Sequence, residues 1–233
     1  KVKKIIYDRL KQFIIEPLTP TKSMSLFAPK NTKRLYGAYK PFSERELEYW
    51  AQFGITKPTL EAYKVFSVKY VAVNTDFYAE STEENPIFCY EVGPAKYKIY
   101  RPYESKNRKW VCNTDKDVYP QGWMNLPREG NSLIITKSLK DVMLLKELGY
   151  NSIAVHSENT HLKEDVVADL KTRFASIYIL LDNDPCGIEN SKYYHQKYGF
   201  IEIVMTDKDP SDQYKNLGRQ SVIDILDSFS IIK

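Results

Sequence analysis

The sequence predicts an α/β chain: a mainly parallel sheet flanked by helices over residues 129–233, preceded by a smaller, basic α+β region. Three observations predict it. After Pro127 and Gly130, short apolar runs alternate strictly with amphipathic segments, and strands and helices alternating through short links form parallel sheets covered by helices. Residues 177–181 are a continuous apolar run, as in strands buried on both faces, and Leu133-Ile134-Ile135 opens another strand. Between Phe66 and Asn113 the pattern is instead one of short β-like runs broken by Asn, Asp, Pro and Gly clusters.

Residues 1–42 are expected to form a basic N-terminal helix and linker. Ile5, Ile6, Leu10, Phe13 and Ile14 recur at helical spacing, and Pro17 and Pro20 end that helix. Lys22, Lys30, Lys33, Arg34 and Lys40 follow with no acid among them. A solvated linker and a phosphate-contact strip both account for this segment.

Residues 43–128 form the second region. Ser43 with Glu46 spells a capping box for a helix through Trp50, and Gly54 closes it. Thr56 and Pro58 open a second short helix to Tyr63. Strands are expected at 67–73, 87–92, 97–100 and 109–112. Lys96, Lys98, Arg101, Lys106, Arg108 and Lys109 crowd into the last two strands and their turn. Alternation puts Lys98 and Tyr100 on one face, with Tyr97 and Ile99 on the other. A basic hairpin carrying an aromatic suits phosphates and bases; a solvated edge, where lysines block aggregation, accounts for it as well.

From residue 129 the order is strand 133–136, helix 140–148, strand 152–155, helix 164–174, strand 177–181, helix 188–198, strand 200–205 and helix 220–229. Gly149 and Gly199 stand just past two helix ends, as C-terminal glycines do. No G-x-G-x-x-G follows the first strand, so the dinucleotide-binding fingerprint is missing.

Composition excludes several classes. With 42% apolar and 27% charged residues the chain is an ordinary globular sequence, and its net charge of +4 is too mild to name a partner. Cys89, Cys112 and Cys186 are scattered, and His156, His161 and His195 do not complete a zinc set. Such thiols point to a reducing, cytoplasmic compartment. No apolar run approaches the roughly 18–20 residues of a membrane span, and no signal peptide is visible. A start at Lys1 suggests a fragment of a longer protein.

Carboxylates gather at the strand ends. Asp141 lies one turn beyond the first strand of the parallel region, Asp182 and Asp184 beyond the third, and Asp207, Asp209 and Asp212 beyond the fourth. Parallel strands carry these ends to one sheet edge, where ligand sites of open α/β sheets lie. A cluster of like charges raises its own pKa values, and a divalent cation is the ordinary remedy. The plainer account is helix capping, which Asp favours.

These residues carry a family likeness. Lys137-Ser138-Leu139-Lys140-Asp141, Asp182-Asn183-Asp184-Pro185-Cys186-Gly187 and Lys208-Asp209-Pro210-Ser211-Asp212 resemble the ordered acidic motifs of the Toprim domain, shared by bacterial-type primases, topoisomerases and some nucleases. Upstream, Tyr97-Lys98-Ile99-Tyr100-Arg101-Pro102, Lys109-Trp110 and Gly122-Trp123-Met124-Asn125-Leu126-Pro127 look like the basic subdomain preceding Toprim in phage-type primases.

The resemblance implies a DNA primase core that joins ribonucleoside triphosphates on a single-stranded DNA template with Mg²⁺ or Mn²⁺. It implies catalytic roles for Asp141, Asp182 and Asp184 and metal ligation by Asp182 and Asp184 with Asp209 and Asp212; Lys137, a lysine at the same site, is suited to salt-bridge the acids or to hold a triphosphate as a point charge. Lys98, Arg101 and Lys109 become nucleotide and template contacts. A replicative helicase on the same or another chain is an implied partner, and the motif style leans towards phage, hence a bacterial host's cytoplasm. Two departures stand out. Lys137 occupies the place of a family glutamate, so Glu158 is the candidate replacement carboxylate, and the zinc-binding module of such primases is not in this sequence. A Toprim nuclease and a non-catalytic nucleic-acid-binding module are the alternatives; a topoisomerase needs a further large domain.

Overall fold

A computed structural model of the chain describes residues 33–114, 119–156 and 161–232. The expected N-terminal helix, Lys22, Lys30 and Glu158 lie outside the described residues. The chain divides into two compact units. One runs up to Glu46 and resumes at Lys64; the other takes Leu47–Tyr63 and the chain from Tyr119 onward.

The first unit is an antiparallel sheet, six-stranded among the described residues: β1 (Leu35–Lys40), β2 (Val65–Val73), β3 (Asp76–Glu80), β4 (Ile87–Gly93), β5 (Lys96–Tyr100) and β6 (Trp110–Cys112). The order is β1-β2-β4-β5-β6, with β3 also on β2. Strand β1 corrects the expected linker. Leu35 and Gly37 turn inward and the backbone pairs with β2 from Leu35↔Val73 to Lys40↔Ser67. A register shift between Ala38 and Tyr39 breaks its alternation, which is why the basic residues around it hid a strand. Strand β3, also unassigned from sequence, is short and largely exposed, and Asn74 at φ +58° makes the tight turn into it.

Val68, Val71, Ile87, Cys89, Ile99 and Val111 form the core on one face. Helix α1 (Glu44–Ala51) begins in this unit with the expected capping box: Ser43 N donates to Glu46 Oε2 at 2.9 Å and Glu46 N to Ser43 Oγ at 3.3 Å. Buried Glu46 also accepts from Ser67 Oγ at 2.8 Å and pairs with Lys40 Nζ at 2.9 Å. One carboxylate thus joins β1, β2 and the helix start.

The second unit holds α2 (Lys57–Ala62), β7 (Gly130–Thr136), α3 (Leu139–Glu147), β8 (Ser152–Ala154), α4 (Glu164–Arg173), β9 (Phe174–Ile179), α5 (Pro185–Tyr198), β10 (Ile201–Glu202) and α6 (Pro210–Ser228). Its sheet has the order β10-β9-β7-β8 and every pairing is parallel. Leu133, Ile135, Ile177 and Ile179 pack with Val167 and Leu170 of α4 and with Tyr194 of α5.

The helical hairpin of residues 47–63 packs here and not with the strands that follow it in sequence. Thr56 donates from N and Oγ1 to Glu147 Oε1 at 2.9 and 2.6 Å, and Lys140 Nζ lies 4.1 Å from the centre of the Phe53 ring. Gly54, at φ +69°, lies against Tyr214, where a Cβ would come within 2.5 Å of the ring. Helix α6 starts ten residues before the expected 220, with a break at Gly218 (φ +82°). Only its apolar second half showed helical periodicity.

Candidate active site

The carboxyl edge of the parallel sheet is assembled from three loops. Strand β7 ends at Thr136; Lys137 follows, and Ser138 caps α3, its hydroxyl accepting from Asp141 N at 3.2 Å. Asp141 is only 1% exposed. The hydroxyls of Ser138 and Ser211 both donate to its carboxylate, and Ser211 N donates to it at 3.3 Å. Asp141 therefore ties the start of α3 to the start of α6. Burial, with Asp209 nearby, pushes its carboxyl up to about 7, against the opposing pull of Lys140 and the two serines.

Past β9 the ladder continues as Leu180 N donates to Ile135 O at 2.8 Å, and the chain then reaches Asp182, 5% exposed. Lys137 Nζ sits 2.7 Å from Asp182 Oδ2, and Lys208 Nζ is 3.5 Å from the same oxygen. Asn183 fixes this exit: its N donates to Lys208 O at 2.6 Å and its Nδ2 to Met205 O at 3.0 Å. Asp184 caps α5, accepting from Gly187 N at 2.9 Å. Gly187 is required by proximity, since a Cβ there would lie 2.0 Å from the backbone oxygen of Asp182.

The third loop repeats the device. Asp209 caps α6, accepting from Asp212 N at 2.7 Å, while Asp212 Oδ1 lies 3.8 Å from Lys140 Nζ. Asp207 accepts from Asn216 Nδ2 at 2.6 Å and from Lys208 N at 2.8 Å, and these bonds hold its carboxyl below the ordinary value. The capping account thus holds for Asp184 and Asp209. Among the described residues no three His, Cys, Asp or Glu side chains are grouped to hold a metal ion. The hydroxyl of Thr136, buried at the same strand end, has no hydrogen-bond partner among them. Sequence reasoning gave Ser211 and Lys208 no role, although both lie in the motif that carries Asp209.

The basic hairpin of the first unit is built as the alternation predicts, with Tyr97 and Ile99 in the core and Lys98 and Tyr100 on the opposite face. Phe88, Tyr100 and Trp110 pair in register across β4, β5 and β6. Trp110 stacks on Tyr100 at 4.4 Å and 21° and remains 37% exposed, while Lys98 Nζ lies 5.0 Å from the centre of the indole. Burial lowers the Lys98 ammonium's pKa, with Cys112 partly offsetting it. Arg101 turns inward: it pairs with Glu104, lies over Tyr78, and its Nη1 is buried without a hydrogen-bond partner among the described residues. Lys109 is half-buried, and its carbonyl holds Arg101 N at 2.9 Å.

This fold, an antiparallel unit joined in one chain to a four-stranded parallel unit, is similar to that of solved DNA primase fragments. The primase fragment of the bacteriophage T7 primase-helicase protein matches with a TM-score of 0.57 at 16% identity, over 82% of this chain and 79% of that one. The DnaG catalytic core matches with a TM-score of 0.56 at 13% identity, over 81% and 74%. The DnaG primase catalytic domain bound to single-stranded DNA gives 0.53 at 11%, over 81% and 73%. No protein-family model matches the chain, and no curated protein matches it by sequence. Among the described residues no helix is long and apolar enough to cross a membrane.

Proposed function

We propose that this chain is the core of a DNA primase that makes short RNA primers on single-stranded DNA. In that reaction the 3′-hydroxyl oxygen of one ribonucleotide bonds to the α-phosphorus of the next triphosphate. The bond to the β-phosphate breaks, pyrophosphate leaves, and the hydroxyl proton passes to solvent. The observation that carries the reading is the pairing of Asp182 with both Lys137 and Lys208 at the carboxyl edge of a parallel sheet, in a primase-core fold.

Each residue has a place in this reading. Lys137 and Lys208 receive triphosphate oxygens as point charges. Asp141, buried, positions the starts of α3 and α6. Among the described residues no three carboxylates are grouped to hold a cation, so an ion here would depend on one or two carboxylates with substrate phosphates completing its shell. Asp182 and Asp184 would hold such a Mg²⁺ or Mn²⁺ ion, with Asp209 and Asp212 in support, and it would polarise the phosphoryl oxygens. In the first unit, Trp110 stacked on Tyr100 beside Lys98 offers bases a platform, with Lys109 next to it for phosphates. The DnaG structure with bound single-stranded DNA and the T7 primase-helicase fragment support a DNA template and a helicase partner. A cytoplasmic setting follows from the same reading.

Lys137 on Asp182 favours a second reading, a nucleic-acid-binding module without chemistry. One incubation separates the possibilities: single-stranded template, labelled ribonucleoside triphosphates and Mg²⁺ or Mn²⁺. Labelled oligoribonucleotides are the expected product. Degraded template would instead indicate a nuclease, and tight binding with no product the module.

A further inference from the structure

The segment from Tyr119 to Asn125 runs beside the candidate active edge, and no step of the proposed reaction uses it. Gln121 bridges antiparallel to Ala154 at the end of β8, each N donating to the other's carbonyl, at 2.8 and 2.9 Å. Ala154 stands in register with Thr136, the last residue of β7 before Lys137. Gln121 Nε2 also donates to Val155 O at 2.9 Å, and Val155 and Lys137 line one small cavity. The segment is therefore fastened to the sheet edge that presents Lys137 and Asp182.

It carries two stacked rings. Trp123 packs, partly buried, against the core of this unit. The Arg173 guanidinium lies 5.0 Å from the centre of the Trp123 ring and donates to Pro127 O and Arg128 O at 2.6 and 3.0 Å. Tyr119 stacks on Trp123 at 5.2 Å and 24°, and His156 Nε2 holds the Tyr119 carbonyl at 2.6 Å. Trp123 covers one face of the phenol ring, yet Tyr119 remains 60% exposed, so the other face looks into solvent.

Resting on the primase reading above, we propose that this outer face of Tyr119 is a stacking site for a nucleobase beside the catalytic edge. The base belongs to the single-stranded DNA or to the ribonucleoside triphosphate, since both offer the same π surface. Every base has such a face, so the stack needs no sequence preference. Trp123 and the pinned backbone already hold the phenol ring, and little side-chain freedom is lost when a base joins it. Nearness to the phosphoryl-transfer edge favours a nucleobase over a side chain of another protein.

The test compares the parent chain with Tyr119→Ala and Tyr119→Phe. Fluorescence anisotropy reads binding of a labelled oligodeoxythymidylate and of a strand of the same length built from abasic sites. Equilibrium dialysis reads binding of labelled ATP. Tyr119→Ala is expected to lose about ten-fold in affinity for the oligonucleotide or for ATP, as for one lost stacked base, and the ligand that responds identifies the source of the base. Tyr119→Phe should keep the parental affinity, and the abasic strand should bind the parent and the alanine variant alike. Parental affinity of Tyr119→Ala for both ligands, the outcome if the ring only shields Trp123, would overturn the proposal. So would an equal loss on the abasic strand or in Tyr119→Phe. Primer synthesis is measured separately: primers with unchanged affinities sink this inference alone, and the ten-fold loss with no primers from the parent sinks the primase reading.

Discussion

Replacing Gly187 with alanine tests how the fold makes the site. A Cβ at 187 would lie 2.0 Å from the backbone oxygen of Asp182, 2.9 Å from its carbonyl carbon and 3.0 Å from its nitrogen. These are backbone atoms and no rotamer removes the clash. The start of α5 must move away from the exit of β9, and the bond from Gly187 N to Asp184 must stretch or break. Loss of the cap costs about 0.5–2 kcal/mol and forced overpacking about 1–3, so roughly 2–4 kcal/mol of stability should go. For a chain of this size that lowers Tm by about 5–15 °C. Thermal and urea unfolding followed by circular dichroism measure it. Under the same proposal, primer synthesis should fall at temperatures where the variant is still folded, since Asp182 and Asp184 flank the displaced turn. A variant with parental Tm and parental activity would refute the claim that close approach fixes this turn.

Other perturbations follow from named contacts. Asp141→Ala strands the Ser138 and Ser211 hydroxyls, the latter fully buried, and should cost about 2–5 kcal/mol in urea unfolding; Asp141→Asn should cost clearly less. Equal losses in the two would argue against the hydrogen-bonded role. Glu46→Ala removes the carboxylate shared by Ser43, Ser67 and Lys40 and should destabilise the first unit by about 3 kcal/mol, near the low end for a broken buried pair because Lys40 retains solvent access. Trp110→Ala should weaken single-stranded DNA binding by about 1–3 kcal/mol in fluorescence anisotropy while leaving the fold intact, given how exposed the ring is; undiminished affinity would remove the stacking platform.

What the sequence disclosed depended on whether local pattern and tertiary role agreed. Strands β7 and β9 were legible from their apolar stretches at 133–135 and 177–179, although both begin three residues earlier than expected, β9 ends at Ile179, and the helix after it begins at Pro185. The capping box at Ser43 and Glu46 was legible because it closes within three residues. Strand β1 was not, for its inward residues are few and its register shifts midway. The placement of residues 47–63 with the parallel unit rests on contacts such as Thr56 with Glu147, 91 residues apart, which no local pattern announces.

The acids followed the same rule. Parallel topology places their loops at one sheet edge, but among the described residues no three of the acids are grouped as a metal site, and their individual duties were not legible. Asp184 and Asp209 differ from Asp182 in holding helix starts, a distinction set by which backbone N–H each meets. Arg101 read as a phosphate contact, yet it turns inward to Glu104 three residues on. Lys137 stood out as a departure from an acidic pattern, but its partner, 45 residues away, became visible only in the fold.

The central claim, that the acid and lysine cluster at the sheet edge performs template-directed ribonucleotide transfer, meets its most direct test in one measurement. That measurement is the rate of labelled oligoribonucleotide formation on single-stranded DNA by the parent chain and by Asp182→Asn, at matched DNA occupancy. The parent should make primers, and the variant should bind DNA equally well while its rate falls about a hundred-fold or more, several kcal/mol of lost transition-state stabilisation. An Asp182→Asn chain that makes primers at the parental rate would contradict the account.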